Sequence, residues 1–127
     1  MYRPGKQSAA ALRAAERRER ENSAPRLSTE APELSSLRLE VEERSGTISA
    51  LQPKYIRLIV VSSAPALFLI PCGDSSCVDG GHDVTSMIMS ALRARKTHFG
   101  GEDECRGSIG TSVCARVLHF EATAEYR

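Results

Sequence analysis

The chain has 127 residues, of which 41% are hydrophobic and 26% charged, and this is the composition of a soluble globular domain with a short tail. Its formal net charge is +1, so the total charge indicates no particular class of partner. No stretch approaches the roughly 20 apolar residues that a membrane-spanning helix needs, and the charged start offers no apolar segment for a signal peptide. We therefore expect a cytoplasmic protein whose thiols stay reduced.

Residues 1–33 predict a basic N-terminal arm followed by a linker. Residues 6–21 are rich in alanine, arginine and glutamate, which favours a helix, but Leu12 is their single large apolar residue. Such a segment buries little apolar surface, so we expect a frayed helix or a disordered tail. Seven basic and three acidic residues give residues 1–27 a charge of +4. The polar, proline-containing residues 22–33 are typical of a linker.

The remainder of the chain, residues 34–127, predicts one small domain that begins with three strands. Residues 36–45 start with alternating apolar and charged side chains, the pattern of a strand with one solvated face. Two aliphatic segments, residues 55–61 and 66–70, flank a Ser-Ser-Ala-Pro turn. They predict a hairpin, and the first of its strands is expected to be well buried.

A helix and a final strand complete the predicted domain. Apolar residues recur at helical spacing over residues 84–92, behind Asp83 as N-cap, and the glycines at 100–101 are expected to end the helix. A polar loop is predicted at residues 102–113, and alternation over residues 115–126 predicts the last strand. The order β-β-β-α-β implies an α+β two-layer sandwich, in which one helix covers a four-stranded, mainly antiparallel sheet.

Four cysteines and one histidine lie in two glycine-rich loops. The first loop has the spacing Cys72-x4-Cys77-x4-His82, and the second has Cys105-x8-Cys114. Four thiolates, or three and an imidazole, suit tetrahedral zinc, so the sequence predicts that the two loops share one ion. The histidine is a candidate ligand, a residue that supports the ligands, or simply the residue before the helix cap. The pattern also leaves open buried free cysteines and, in an oxidising compartment, disulfides.

Residues 67–121 resemble the thioredoxin-like [2Fe-2S] ferredoxins in the order of their cysteines. A strand ends at a first cysteine and a second follows in a glycine-containing loop (LFLIPCGDSSCVDGG). A helix comes next (HDVTSMIMSALRARK), and two more cysteines precede a final strand (ECRGSIGTSVCARVLHFE). The resemblance implies that the four cysteines hold a [2Fe-2S] cluster and that the protein transfers electrons. Eight residues separate the last two cysteines here, whereas three separate them in the family.

Basic side chains in the arm and near the end of the predicted helix are candidates for contact with phosphates or with a partner protein. They are Arg13, Arg17, Arg18, Arg20, Arg93, Arg95 and Lys96. A merely solvated charged surface explains them as well.

The sequence as a whole predicts a non-enzymatic binding module, and no catalytic residue is assigned. A structural zinc would stabilise the module, and the basic arm would dock on a larger protein or ribonucleoprotein assembly, or on nucleic acid. The alternatives are the [2Fe-2S] electron carrier and thiol catalysis by Cys77, which lies near His82 and precedes the helix.

Overall fold

The computed structural model describes residues 9–45, 54–74 and 76–127. Its largest unit is an antiparallel four-stranded sheet with the strand order β2-β1-β8-β5, which confirms the predicted α+β class. The elements in chain order are α1 (Ala9–Ser23), α2 (Leu27–Glu30), β1 (Leu34–Ser45), β2 (Tyr55–Ile59), β3 (Leu69–Ile70), β4 (His82–Asp83), α3 (Thr85–Arg93), β5 (His98–Glu104), β6 (Ser108–Ile109), β7 (Ser112–Val113) and β8 (Arg116–Tyr126). Among the described residues, no helix is long and apolar enough to cross a membrane.

The core lies between one face of the sheet and α3. Alternate residues of β1 point into it, and across the ladder Leu39 pairs with Ala122 and Val41 pairs with Phe120 of β8. The predicted apolar stripe of α3 covers this face, because Ile88 belongs to the same buried cluster. Burial of such side chains contributes about 25 cal/mol per Å² of apolar surface. This packing therefore fixes which face of each long strand points inward.

The predicted hairpin between residues 55–61 and 66–70 is wrong. Strand β2 pairs with β1, and the short β3 pairs with β4 in a separate two-stranded sheet. The chain between β2 and β3 bonds to the N-terminal segment instead, because the N–H of Leu27 donates to the carbonyl of Ala64 and the N–H of Ala66 donates to the carbonyl of Pro25. Those backbone groups are then unavailable for a hairpin.

Strand β2 is also less buried than the sequence predicts. It lies at the edge of the sheet, and its side chains Ile56 and Leu58 are exposed, as is Val60 just after the strand, with 73% of the surface of Leu58 accessible. An aliphatic composition favours a strand, but it does not show whether that strand lies at the centre or at the edge of the sheet.

The fourth strand of the sheet is β5, which the sequence analysis predicted as the end of the helix and a loop. Helix α3 ends at Arg93, where the N–H of Lys96 donates to the carbonyl of Ala91 and Arg95 adopts a left-handed φ of 55°. This is a Schellman-type stop without the usual glycine, so the sequence does not show it. Gly100 lies inside β5, where a Cβ atom would approach the carbonyl oxygen of Phe120 to 2.6 Å. The glycine thus permits close strand packing and does not end the helix.

The N-terminal helix α1 overlaps the predicted helix, and its side chain Leu12 remains 49% exposed. Residues 22–33, which were predicted as a linker, contain α2 and its residue Leu27, whose side chain is fully buried in the core. The division of the chain at residue 33 stays a prediction, but the segment just before it packs on the domain.

Leu27→Ala tests whether this segment is an integral part of the fold. A Leu→Ala change at a fully buried site leaves a cavity, so the free energy of unfolding is expected to fall by about 2–5 kcal/mol in chemical denaturation. The matched control is Leu12→Ala on α1, which is expected to change stability by less than about 0.5 kcal/mol because its side chain is half exposed. Equal effects of the two substitutions would contradict the assignment.

Candidate metal centre

The segments next to five strands bring the cysteines together at one end of the sheet. Cys72 follows β3 and Cys77 lies in the loop that leads to β4, whereas Cys105 follows β5 and Cys114 lies between β7 and β8. The four sulfur atoms all lie within 4.8 Å of one another. The predicted convergence of the two loops is therefore confirmed, and the group is compatible with a metal-binding site.

The sulfur spacing fits the tetrahedral geometry of one ion. The Sγ atoms of Cys72 and Cys114 are 3.8 Å apart, and those of Cys77 and Cys105 are 3.6 Å apart. A zinc–sulfur bond of about 2.3 Å gives a tetrahedral sulfur–sulfur edge of about 3.8 Å. Both distances are far longer than the roughly 2.05 Å of a disulfide bond, and all four cysteines are free.

Backbone hydrogen bonds hold the two cysteine loops against each other. Val78 and Ser108 exchange N–H···O bonds of 2.8 and 3.0 Å, which joins the loop after Cys77 to the β6–β7 hairpin. The N–H of Cys114 donates to the carbonyl of Gly107 in the same hairpin. The sulfur positions are therefore set by main-chain pairing between loops that are distant in sequence.

Two glycines permit the sulfurs to lie directly against the backbone. A Cβ atom on Gly80 would lie 2.3 Å from the Sγ of Cys77 and 2.5 Å from that of Cys105. One on Gly107 would lie 2.4 Å from the Sγ of Cys77 and 2.6 Å from the Cα of Gly80. No side chain fits in either place, so these glycines are required by close packing around the thiols.

The environment affects the thiols unequally. Burial raises the pKa of Cys77 to about 11, and burial also raises the pKa of Cys72. Burial acts in the same direction on Cys105, but hydrogen bonds from the backbone of Gly81 and Gly107 and from neighbouring thiols outweigh it and lower the pKa to about 7. Four thiolates this close together, three of them buried, would repel one another without a cation. The site therefore favours either protonated thiols or a bound positive ion that displaces their protons.

His82 does not belong to the group of sulfur atoms. Its side chain is fully buried, its Nε2 lies 2.9 Å from Oε2 of Glu43, and its Nδ1 lies 3.1 Å from Oδ2 of Asp103. Both ring nitrogens are thus engaged by carboxylates, which leaves neither directed at the sulfurs. Burial acts to lower the pKa of His82, but the bonds to the two carboxylates outweigh it and raise that pKa above its ordinary value. An imidazolium that donates from both nitrogens satisfies this geometry.

The carboxylates that bind His82 connect the sheet to the cysteine loops. Oε1 of Glu43, on β1, accepts from the backbone N–H of Gly73 and from Nη1 of Arg116, at 2.9 and 3.1 Å. Burial acts to raise the pKa of Glu43, and the bonds from His82 and Gly73 lower it overall. Glu43 was not among the candidates predicted from the sequence, although it continues the inward-facing positions of β1. Residue 43 pairs with Leu118 of β8, so the alternation could have identified it.

The basic candidates fall into two separate places. Arg13, Arg17 and Arg20 line a cleft of about 630 Å³ beside Cys72, and Nη2 of Arg20 lies 3.8 Å from Oδ2 of Asp83. Arg18 is exposed on the same helix.

The second group lies at the end of α3. Arg93 and Arg95 line a smaller cleft, where Arg95 pairs with Glu33 and lies over the ring of Tyr126. Lys96 accepts a hydrogen bond from Tyr126 through its backbone carbonyl. Among the described residues, the two groups line separate clefts.

The comparisons with known proteins give no further constraint on function. No family model matches the chain, and no curated protein or solved structure matches it.

Glu43→Gln tests the buried ion pair. Because the folded pKa of His82 lies above 6.5, its contribution to stability is complete below that pH and is lost as pH rises through the folded pKa. Removal of the Glu43 charge is expected to lower the pKa of His82 in a ring NMR titration and to destabilise the fold by about 3 kcal/mol.

The control for this measurement is Glu121→Gln. Glu121 is exposed on the opposite face of the sheet and should leave the titration of His82 unchanged. An unaltered pKa of His82 in Glu43→Gln would refute the ion pair.

Proposed function

We propose that the protein is a small binding module whose loops are stabilised by one structural zinc ion, held by Cys72, Cys77, Cys105 and Cys114. The observation that supports this most directly is the mutual proximity of the four sulfurs, with closest pairs at 3.6 and 3.8 Å. Four protein thiolates complete a tetrahedral coordination sphere and leave no position for a substrate, which favours a structural ion over a catalytic one.

The distribution of apolar packing supports a stabilising role. The cysteines form a buried cluster of their own with Ile109 packed against it, separate from the main core of the sheet and α3. A cluster of this size contributes little hydrophobic stabilisation to the loops. An ion bound only in the folded state would supply the missing stabilisation of the loops.

A [2Fe-2S] cluster is the second candidate, and the order of the cysteines supports it. In such a cluster each of the two irons binds two thiolates. The sulfurs on one iron therefore lie farther from the sulfurs on the other iron than the two irons lie from each other. Here all four sulfurs lie within 4.8 Å of one another, which favours a single ion. We therefore place zinc first and the cluster second.

Elemental analysis with an absorption spectrum of the untagged protein separates these candidates. We expect one zinc per chain and no visible absorbance. Chelation should lower the midpoint of thermal unfolding by at least about 10 °C, because each kcal/mol corresponds to about 2–8 °C at this size. Iron with a visible charge-transfer spectrum would establish the cluster instead, and a protein that purifies with neither metal, and binds neither on addition, would remove both.

Cobalt substitution identifies the ligands. Co²⁺ bound by four thiolates gives intense sulfur-to-metal charge-transfer bands and tetrahedral visible bands. We expect Cys105→Ser to weaken both sets. His82→Asn is the comparison: because the imidazole bonds to Glu43 and Asp103, this variant is expected to be less stable, but its cobalt-loaded form should keep the band energies of a four-thiolate site. A changed spectrum in His82→Asn, with unchanged bands in Cys105→Ser, would reassign the ligand set.

We further propose that the arginine-rich helix α1 docks the module on nucleic acid or on an acidic surface of a larger assembly. The helix carries four arginines and three glutamates, a net charge of +1, and its Leu12 side chain is half exposed, so the domain does not cover this position of the helix. The ion pair of Arg20 with Asp83 joins two exposed side chains, and such pairs contribute about 0–1 kcal/mol. This ion pair therefore contributes little to the attachment of α1, and a phosphate or a carboxylate of a partner can replace Asp83 at Arg20 at small cost.

Deletion of residues 1–23 tests the docking role while retaining the buried Leu27. Binding to a labelled RNA or DNA duplex is expected to weaken, and the slope of log affinity against log salt should fall by about one for each arginine–phosphate contact removed. Arg93→Ala is the control, because that residue lines the other cleft. Affinity that survives the deletion intact would refute the role of α1. Loss of copurifying protein partners, without any nucleic-acid binding by the full chain, would assign the arm to protein docking.

A further inference from the structure

We propose that the metal centre is also a thiol switch, in which Cys72 and Cys114 form a disulfide on reaction with a hydroperoxide and the ion leaves, while Cys77 and Cys105 stay reduced. This inference rests on the proposed function, since it requires the ion to be present.

The four thiols differ in their access to solvent. Cys77, Cys105 and Cys114 are 1–3% exposed, whereas Cys72 is only half buried. Cys72 also lines the 630 Å³ cleft, together with Pro71 beside it in the chain. A small neutral oxidant can therefore reach this sulfur first, because oxidation of cysteine follows exposure as well as thiolate character.

The Sγ of Cys114 lies 3.8 Å from that of Cys72. The two residues lie 42 positions apart in sequence, at the ends of β3 and of the β6–β7 hairpin. A disulfide needs the sulfurs to approach to about 2.05 Å, a shift of less than 2 Å that is within reach of the partly exposed loop after Cys72. An oxidised Cys72 thus has a resolving thiol beside it.

The second pair is protected by close packing. The Cβ position of Gly80 is 2.3 Å from the Sγ of Cys77 and 2.5 Å from that of Cys105, so backbone covers both sulfurs. The N–H of Gly81 also donates to the Sγ of Cys105 at 3.4 Å. An oxygen atom added to either sulfur would have to displace the main chain, which disfavours oxidation at this pair.

The reaction balances in two steps. The Cys72 thiolate attacks one oxygen of hydrogen peroxide, the O–O bond breaks, and a sulfenic acid and hydroxide form, the latter becoming water with a proton from solvent. The Cys114 thiolate then attacks the sulfenic sulfur, an S–S bond forms, and hydroxide leaves as water after taking a second proton. Two thiolates lose two electrons in total and the peroxide gains them. Two ligands remain for the ion, which is too few to retain it in a four-coordinate site.

The test uses the zinc-loaded full-length protein and substoichiometric hydrogen peroxide. Released zinc is followed with a chromogenic chelator, and disulfides are mapped by peptide mass spectrometry after the free thiols have been alkylated. We expect one disulfide per zinc released, with the Cys72–Cys114 linkage in about tenfold excess over Cys77–Cys105 during the first half of release. Dithiothreitol and added zinc should restore the original state.

Cys114→Ser provides a second readout, because the resolving thiol is absent. A sulfenic acid should then persist at Cys72 and be trapped by dimedone. If this variant does not fold, the disulfide map of the unaltered chain decides alone. A predominant Cys77–Cys105 linkage, or peroxide consumption without zinc release, would overturn the switch while leaving the structural zinc intact. Absence of zinc before any oxidant is added would instead count against the proposed function.

Discussion

The two cysteine loops of this protein gather four thiols at a place where little apolar surface is available to hold them. Thiolates brought within 4.8 Å in a buried site repel one another, and burial raises the pKa of Cys72 and Cys77. Protonated thiols relieve this repulsion but add only weak contacts. A divalent cation would relieve it and would also bond the loops together, and the four clustered sulfurs are compatible with such a metal-binding site.

A buried charge network links that site to the sheet. Glu43 lies on the core side of β1, and it accepts from His82, Gly73 and Arg116. His82 lies on β4 and Gly73 follows Cys72, so the carboxylate of Glu43 holds both ends of the first cysteine loop against the sheet. Asp103, two residues before Cys105, holds the other side of His82. Polar networks of this kind fix loop positions more closely than apolar contacts do, because each partner is unfavourable when left unpaired.

Some elements could be predicted from the sequence and others could not, for identifiable physical reasons. Strand β8 and the buried stripe of α3 followed from periodicity, since their apolar faces meet one core. Strand β5 was missed because Gly100 and Gly101 were interpreted as a helix stop, whereas they let the strand pack against Phe120 and Met87. The predicted hairpin was wrong for a different reason. The segment around the buried Leu27 forms hydrogen bonds with the backbone of residues 64–66.

The sequence by itself determined the α+β class, the periodic strands and helix, and the four cysteines as a candidate ligand set. These follow from local patterns of side chains, which repeat every 2 or 3.6 residues, and from the residue types themselves. Only the tertiary structure decided that the sulfurs converge, that His82 binds two carboxylates, and that Cys72 alone of the four is partly exposed. Each of these depends on contacts between residues 21 to 42 positions apart, whose pairing no local pattern specifies.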